Sequence, residues 1–217
     1  RTASAISATH GVRAEALAVD LGDEAAVREV PDKVSSLFGR LDILVHCAAL
    51  VGTSALEGWA VPFAEQSSET WRRALEVNLT VPFVLTQACA PLLAVSGTGS
   101  VVCVASIYGV VGPDLRLYEG TEPGNPAAYA AAKGGLLQLT RWLATSLAPQ
   151  VRVNAVSPGG VARGQDPAFV ERYVARTPLG RMATEEDVVG AIAYLASDLS
   201  AYVTGQNILV DGGWTAW

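Results

Sequence analysis

Short apolar runs alternate with longer helical patterns along this chain, and that alternation restricts its possible folds more than any other feature. It is typical of βαβ units built around a parallel sheet. Strands are predicted at 14–19, 42–46, 100–105, 151–156 and 207–210. Helices are predicted at 24–38, 69–95, 127–148 and 185–197, and Pro82 and Pro91 imply a bend and an end of the second. We therefore expect one doubly wound α/β domain over residues 1–217.

The composition excludes several classes of protein. The 217 residues carry a net charge of -6 with no basic stripe, which argues against nucleic acid as a partner. No apolar run is expected to approach the roughly 20 residues that span a bilayer, so no membrane contact is predicted. The three cysteines, Cys47, Cys89 and Cys103, fit neither a disulfide framework nor a zinc spacing. We expect buried reduced thiols, no metal site and a cytoplasmic location.

The candidate site is expected at one edge of the sheet. Right-handed crossovers should bring the carboxyl ends of all the strands to that edge, where the ligands of such folds bind. The residues expected there come from separate parts of the sequence: Asp20, the segment 46–49, Ser106 and the segment 157–161.

Tyr129 and Lys133 are the central pair of side chains. Their spacing of four places both on one face of the predicted helix, about one turn apart. A phenol titrates near 10, and a neighbouring ammonium lowers that pKa enough for proton transfer at neutral pH. The only other lysine is Lys33, so the lysine at this position does not simply reflect a lysine-rich composition. The alternative is that the pair belongs to a solvated helix face.

Two further polar residues are candidates. Ser106 ends the 100–105 strand, where its hydroxyl could hold a substrate oxygen beside Tyr129, or could simply cap the following turn. Asn78 interrupts an apolar helix stretch. Because asparagine is a poor helix former, Asn78 suggests a bend or a buried hydrogen bond, the alternative being surface exposure.

Four motifs follow one another along the chain: Tyr129-x-x-x-Lys133 after the strand-end Ser106, Asn78 within Val-Asn-Leu, Arg-Val-Asn-Ala-Val-Ser-Pro-Gly at 152–159, and Thr-Gly-Gln…Val-Asp-Gly-Gly at 204–213. By these motifs the chain resembles the short-chain dehydrogenase/reductase family from around residue 14 to the carboxyl terminus. The resemblance implies a Rossmann-type sheet and an NAD- or NADP-dependent oxidoreductase that interconverts an alcohol and a carbonyl by hydride transfer. It also implies a bacterial, cytoplasmic homodimer or homotetramer with a small-molecule substrate.

The resemblance assigns roles to residues of this chain. Tyr129 would be the general acid/base, Lys133 would lower its pKa and hold the nicotinamide ribose, and Ser106 would orient the substrate oxygen. Asn78 would hold a water that relays protons to Lys133. The other cofactor-binding positions would be Asp20 and Leu21 at the adenine, Cys47, Ala48 and Ala49 after the second predicted strand, and Pro158, Gly159 and Val161 in the nicotinamide loop.

The sequence departs from the family pattern at three places. The glycine-rich phosphate loop, Thr-Gly-x-x-x-Gly-x-Gly, does not occur, so the first strand–helix unit is apparently missing. The residue that discriminates NAD from NADP follows the family's second strand and is missing too. The usual Asn-Asn-Ala-Gly is replaced at 46–49, where His46 is either a structural histidine or a functional one. Arg163 stands where a threonine is usual, and one reading has it meet an anionic substrate or a cofactor phosphate.

Ser106 and Tyr129 are 23 positions apart. That is about ten more than is common in the family, and such surface insertions often carry specificity. The extra segment, 113–125, should lie beside the active site. Residues 106–114 and 118–121 also show a weaker resemblance to family members from bacterial surface-sugar and flagellin-glycan pathways, which suggests a sugar derivative as substrate. Two alternatives stay open: a sugar-modifying epimerase or dehydratase type, and a catalytically impaired binding or assembly protein with this fold.

Overall fold

Four parallel strands in the order β1-β2-β3-β4 form the sheet of this protein, seen in a computed structural model that describes residues 2–121 and 124–217. The strands are β1 Ile43–His46, β2 Gly99–Val104, β3 Val151–Pro158 and β4 Asn207–Val210. The helices are α1 Thr2–His10, α2 Glu24–Arg28, α3 Val30–Phe38, α4 Ser68–Leu75, α5 Val81–Val95, α6 Ala127–Ser146, α7 Pro167–Ala175 and α8 Glu185–Ala196. Four of the five predicted strands are thereby confirmed.

Helices cover the sheet on both faces, as the doubly wound prediction requires. Val101 and Val153 point to one face, where they join a buried cluster with side chains of α5 and α6. Val102 and Val156 point to the opposite face and pack against Leu195 of α8. Because alternate residues of a strand point to opposite faces, the near-continuous apolar runs of β2 and β3 are buried on both sides.

The crossovers do not all have the same hand. The chain moves across the sheet in one direction from β1 to β4, yet α5 and α6 lie on one face and α8 on the other. The connection from β3 to β4 therefore has the opposite hand to the connection from β2 to β3. The expectation of right-handed crossovers throughout is wrong. Between β3 and α8 the chain forms α7, which was not predicted although Asp166-Pro167 is a helix start: the Asp166 carboxylate accepts from Ala168 N at 2.8 Å.

The amino-terminal region differs from the prediction. Residues 14–19 were expected to form a strand, but no ladder includes them in the part of the chain that the structure describes. A strand needs a hydrogen-bonded neighbour, and β1 pairs only with β2. With one edge free, β1 leaves Ile43 and Val45 exposed, so it is not the buried strand that was expected. The predicted helix 24–38 is divided at Glu29, just before Pro31 in the first turn of α3.

The long helix 69–95 is continuous but bent. A π-helical turn at Glu76–Thr80 separates α4 from α5, and Asn78 lies within it, which confirms the predicted bend. Pro82 occupies the first turn of α5, where its missing N–H has no consequence. Pro91 does not end the helix, which continues for one more turn to Val95.

The whole stretch Ser68–Val95 is 28 residues long and, by length and composition, apolar enough to cross a membrane. The expectation that no such run occurs is therefore wrong. One helix of this kind is weak support for a membrane span, because core helices of soluble proteins pass the same test. Here α5 packs on β1, β2 and β3.

Candidate active site

Ser106 lies just beyond the carboxyl end of β2 and is buried. Its Oγ accepts a hydrogen bond from Tyr108 N at 3.2 Å and so caps the short turn Ile107–Gly109. Its hydroxyl also lies close enough to the Tyr129 phenol to lower the phenol's pKa. The capping role of this serine is therefore confirmed, and its role toward a substrate oxygen stays a prediction.

Tyr129 and Lys133 lie on the face of α6 that packs against the sheet, not on a solvated face. Lys133 is 4 % exposed, and its Nζ donates to the backbone oxygen of Val104, at the end of β2, over 2.7 Å. The ammonium lies 5.7 Å from the centroid of the Tyr129 ring. The structure thus brings Ser106, Tyr129 and Lys133 together at the carboxyl edge of β2.

Burial dominates the protonation of this pair. It lowers the pKa of Lys133 to about 8, against smaller opposing effects of the Cys103 and Cys47 thiols. It raises the pKa of the Tyr129 phenol, and the Ser106 hydroxyl offsets that only in part. The ammonium donates to the Val104 carbonyl in this arrangement, and its effect on the pKa of Tyr129 stays a prediction.

Two glycines allow α6 to come close to its neighbours. A methyl group on Gly109 would lie 2.7 Å from the Lys133 backbone carbonyl, so only glycine lets the Ser106 turn reach the helix. A methyl group on Gly135 would lie 2.8 Å from the Leu79 side chain in the π-helical turn. The small residues around the Tyr/Lys pair thus serve packing within the chain.

Asn78 performs a buried hydrogen-bonding task. It is 1 % exposed, its Oδ1 accepts from Leu50 N at 2.7 Å, and its Nδ2 donates to Leu50 O at 2.9 Å. The side chain therefore fixes the loop that follows β1 and the Ala49 position within it. Surface exposure is excluded, and the role of Asn78 in holding a water stays a prediction, since its amide keeps a second N–H.

The predicted adenine end lies on exposed surface. The Asp20 carboxylate accepts from Gly22 N at 2.8 Å, and Leu21 beside it is half-buried. Cys47 and Ala48 are exposed and Ala49 is half-buried. Cys47 is thus not a buried thiol, in contrast to Cys89 and Cys103.

His46 has a structural environment. It is 8 % exposed, its Nε2 lies 2.8 Å from Thr86 Oγ1, and burial lowers its pKa to about 4. The ring therefore stays neutral at neutral pH and ties β1 to α5.

The predicted nicotinamide loop is held by its own neighbours. Gly159 N donates to Val210 O at 3.0 Å, Gly160 N donates to the Tyr173 hydroxyl at 2.6 Å, and Val161 pairs with Ala183 as an isolated parallel bridge. Pro158 is the last residue of β3. Arg163 is exposed, and its Nε lies 3.1 Å from the Glu185 carboxylate, with which it forms a surface ion pair.

The described part of the extra segment packs against α7; of its predicted residues 113–125, two, 122 and 123, lie outside the described residues. Arg172 of α7 donates to the backbone oxygens of Leu117 and Glu119 at 3.2 and 2.6 Å. Asp114 pairs with Arg116 at 2.8 Å and with Arg176. The segment is therefore anchored at several points.

Sequence reasoning missed an aromatic cluster beside the site. The rings of Tyr173 and Trp214 stack at 5.8 Å, Tyr108 meets Trp214 edge-on at 6.4 Å, and Tyr118 meets Phe169 at 5.1 Å. The only local signal was the tyrosines that flank the extra segment. Within residues 2–121 and 124–217, no group of three or more His, Cys, Asp or Glu side chains could hold a metal.

Comparison with known proteins agrees with this geometry. A family model described as enoyl-(acyl carrier protein) reductase matches residues 1–215. A cis-4-hydroxycyclohexanecarboxylate dehydrogenase of Sinomonas cyclohexanicum is 36% identical over 211 residues, which are 95% of this chain and 78% of that protein. A short-chain dehydrogenase of Leptospira borgpetersenii, solved with bound NAD+, is 35% identical with a TM-score of 0.82 over 92% of this chain and 74% of that one.

A putative NAD(P)-dependent gluconate 5-dehydrogenase of Beutenbergia cavernae, solved with NADP at low occupancy, is 36% identical with a TM-score of 0.85. The match covers 99% of this chain and 82% of that one. The sheet, the Ser106–Tyr129–Lys133 arrangement and these relatives lead to one assignment. The chain belongs to the short-chain dehydrogenase/reductase family, whose members are NAD(P)-dependent oxidoreductases acting on CH–OH groups.

Proposed function

We propose that this chain interconverts an alcohol and a carbonyl compound, with Tyr129 as the general acid/base. The single observation that carries the proposal is the convergence of Ser106, Tyr129 and Lys133 at the carboxyl edge of β2. Tyr129 lies 23 positions after Ser106 and Lys133 lies 27 positions after it, so the three groups meet only through the fold. A buried lysine beside a tyrosine at a sheet edge favours an active enzyme over a catalytically impaired assembly protein.

The protonation states suit carbonyl reduction. Because burial raises the pKa of Tyr129, the phenol is protonated at neutral pH and can donate its proton to a carbonyl oxygen. Ser106 would hold that oxygen, since its Oγ accepts from Tyr108 N and its O–H remains available to donate. In the oxidation direction the same phenol would accept the alcohol proton, and the Lys133 ammonium would stabilise the phenolate.

NAD or NADP supplies or takes up the hydride when bound. The open edge after β1 fits the nicotinamide end, because only the small side chains of Ala48 and Ala49 follow His46 and Cys47 there. Lys133 uses one of its three N–H groups on Val104 O, which leaves donors for a ribose. The residues that would hold the cofactor are Asp20, Leu21, Cys47, Ala48, Ala49, Tyr129, Lys133, Pro158, Gly159 and Val161.

The test uses the purified protein. Turnover of secondary alcohols with NAD+ and NADP+ is followed through the absorbance of the reduced nicotinamide. We expect Tyr129→Phe to lower kcat by about 10²- to 10⁴-fold, the range for loss of a general acid/base. Tyr202→Phe is the matched control, because Tyr202 is fully exposed. If Tyr129→Phe keeps more than a few per cent of the wild-type rate while folding normally, the proposed acid/base role is wrong.

We also propose a cytoplasmic homo-oligomer. Support comes from two unpaired, buried thiols, Cys89 and Cys103, and from exposed aromatic side chains beside α4 and α6. There, Phe63 and Trp71 border an open groove of about 380 Å³. Light scattering of the purified protein decides the assembly state, and a monomer at micromolar concentration would contradict the oligomer.

A further inference from the structure

The extra segment carries a polar group of side chains toward Tyr129. The hydroxyls of Tyr108 and Tyr118 lie 3.1 Å apart, in hydrogen-bond contact. The Asn125 amide lies close enough to both phenols to lower their pKa values, as an N–H facing a phenol oxygen does. Tyr118 in turn lies near enough to Tyr129 to raise its pKa. These side chains thus continue inward to the acid/base itself.

One atom of this group lacks a partner. Asn125 Oδ1 is buried and, within the described residues, accepts no hydrogen bond. An amide oxygen removed from water without a donor is unfavourable, and native proteins rarely leave one unless another molecule supplies the donor. Its surroundings are held in place, because Arg172 anchors the segment to α7 and the carbonyl of Gly124 lies against Gly52 in the loop after β1.

The charges near this atom favour a neutral donor over an anion. The arginines on or against the segment are already engaged: Arg116 and Arg176 with Asp114, and Arg172 with two backbone oxygens. A substrate carboxylate would therefore meet an amide oxygen without a compensating cation. A hydroxyl fits instead, because it donates to the amide oxygen and accepts from a phenol.

We infer that Asn125, together with the Tyr108–Tyr118 pair, binds a second hydroxyl of the substrate, so that the substrate class is a diol or polyol rather than a mono-alcohol or a hydroxy acid. This inference rests on the proposed function, because it places that hydroxyl at a fixed distance from the carbon that Tyr129 serves. Asn125 is a specificity-determining residue in this scheme and takes no part in the chemistry.

The experiment compares kcat/KM of the full-length enzyme for the cyclohexanediols, cyclohexanol and 4-hydroxycyclohexanecarboxylate. We expect at least one diol to exceed cyclohexanol by about tenfold, the factor for one neutral hydrogen bond that is well made. The same diol should also exceed the hydroxy acid. Asn125→Leu should abolish the preference through KM for the diol, and Asn125→Asp, which keeps an acceptor oxygen, should restore part of it.

Controls separate this inference from the proposed function. Gln150→Leu makes the same kind of substitution at an exposed position and should keep the wild-type preference. Tyr118→Phe removes one hydroxyl with little change of shape, and it should reduce the preference even if Asn125→Leu fails to fold. Equal turnover of diol and cyclohexanol, or a preference for the hydroxy acid, overturns the inference alone. Absence of turnover with every compound and both cofactors overturns the proposed function as well.

Discussion

The centre of the sheet and its amino-terminal edge are built differently, although both contribute to one site. At the centre, β2 and β3 are buried on both faces, and the buried Lys133 is bonded to the end of β2. At the edge, β1 has exposed apolar side chains and the segment 14–19 joins no ladder in the described structure. The acid/base pair therefore has a desolvated environment, whereas Asp20 is exposed.

This difference separates two kinds of contribution. Burial at the centre shifts the pKa values of Tyr129 and Lys133 and fixes their hydrogen bonds, so changes there should act on chemistry and on stability. Asp20 is exposed and accepts from Gly22 N, so we expect changes there to act mainly on the proposed cofactor affinity. Four predictions test the contrast, in order of decreasing effect.

Lys133→Met should separate activity from stability. Loss of the ammonium should lower kcat/KM by about 10²- to 10³-fold, as for other single electrostatic contacts to a transition state. The pKa of about 8 in the folded protein lies below the ordinary lysine value of 10.5, so the unfolded chain binds more protons between these values. Wild-type stability therefore rises from pH 8 to 10.5, and at pH 7 the buried charge costs about 3 kcal/mol.

In this variant the free energy of unfolding at pH 7 should be unchanged or higher, and its rise above pH 8 should disappear. Urea titrations at pH 7 and pH 10, beside steady-state kinetics, measure both. A variant that is much less stable at pH 7 would show that Lys133 has a mainly structural role.

Leu136→Ala and Ile6→Ala test the packing contrast directly. Leu136 is 1 % exposed between α6 and the sheet, so its truncation should cost about 3 kcal/mol, within the range for buried leucines. Ile6 of α1 is 42 % exposed, and its truncation should change stability by less than about 0.5 kcal/mol. Equal losses in urea unfolding would mean that α1 is packed more firmly than the structure indicates.

His46→Asn should remove the pH dependence of stability that arises from this buried side chain of β1. Burial lowers the His46 pKa from 6.5 to about 4, so the unfolded chain binds more protons in that window and wild-type stability falls as the pH drops through it. At pH 5 the loss attributable to His46 is about 2 kcal/mol. In urea titrations, the free energy of unfolding of the variant should fall by about 2 kcal/mol less between pH 7 and pH 5 than that of the wild type. Parallel curves for the two proteins would contradict the neutral, buried histidine.

Asp20→Ala should give the smallest effect. We expect the dinucleotide Kd to rise about fivefold, the effect of one exposed hydrogen bond, with kcat unchanged. Asp23→Ala is the contrasting control: Asp23 caps α2 by accepting from Ala25 N and Ala26 N, so its loss should lower stability by about 1 kcal/mol and leave Kd alone. Nucleotide fluorescence titration separates the two variants, and equal Kd values would remove Asp20 from the site.

The sequence by itself determined the elements whose signals are local. Periodicity and capping within a few residues account for several of them. These are the valine-rich runs of β2 and β3, the apolar helix α6 with Tyr129 and Lys133 on one face, and the start of α8. Their position at one sheet edge follows from parallel topology. That is enough to predict the family and the three groups of the acid/base site.

Only the tertiary structure decided the rest. The segment 14–19 has strand-like residues, but a ladder depends on a neighbouring strand, which a local pattern does not contain. Asn78 bonds Leu50, 28 positions away, and Asn125 meets two tyrosines through the fold of the extra segment. The raised pKa of Tyr129 likewise comes from burial by residues of other elements. Hydrogen-bond partners and desolvation are set by residues distant in sequence, so no spacing rule could supply them.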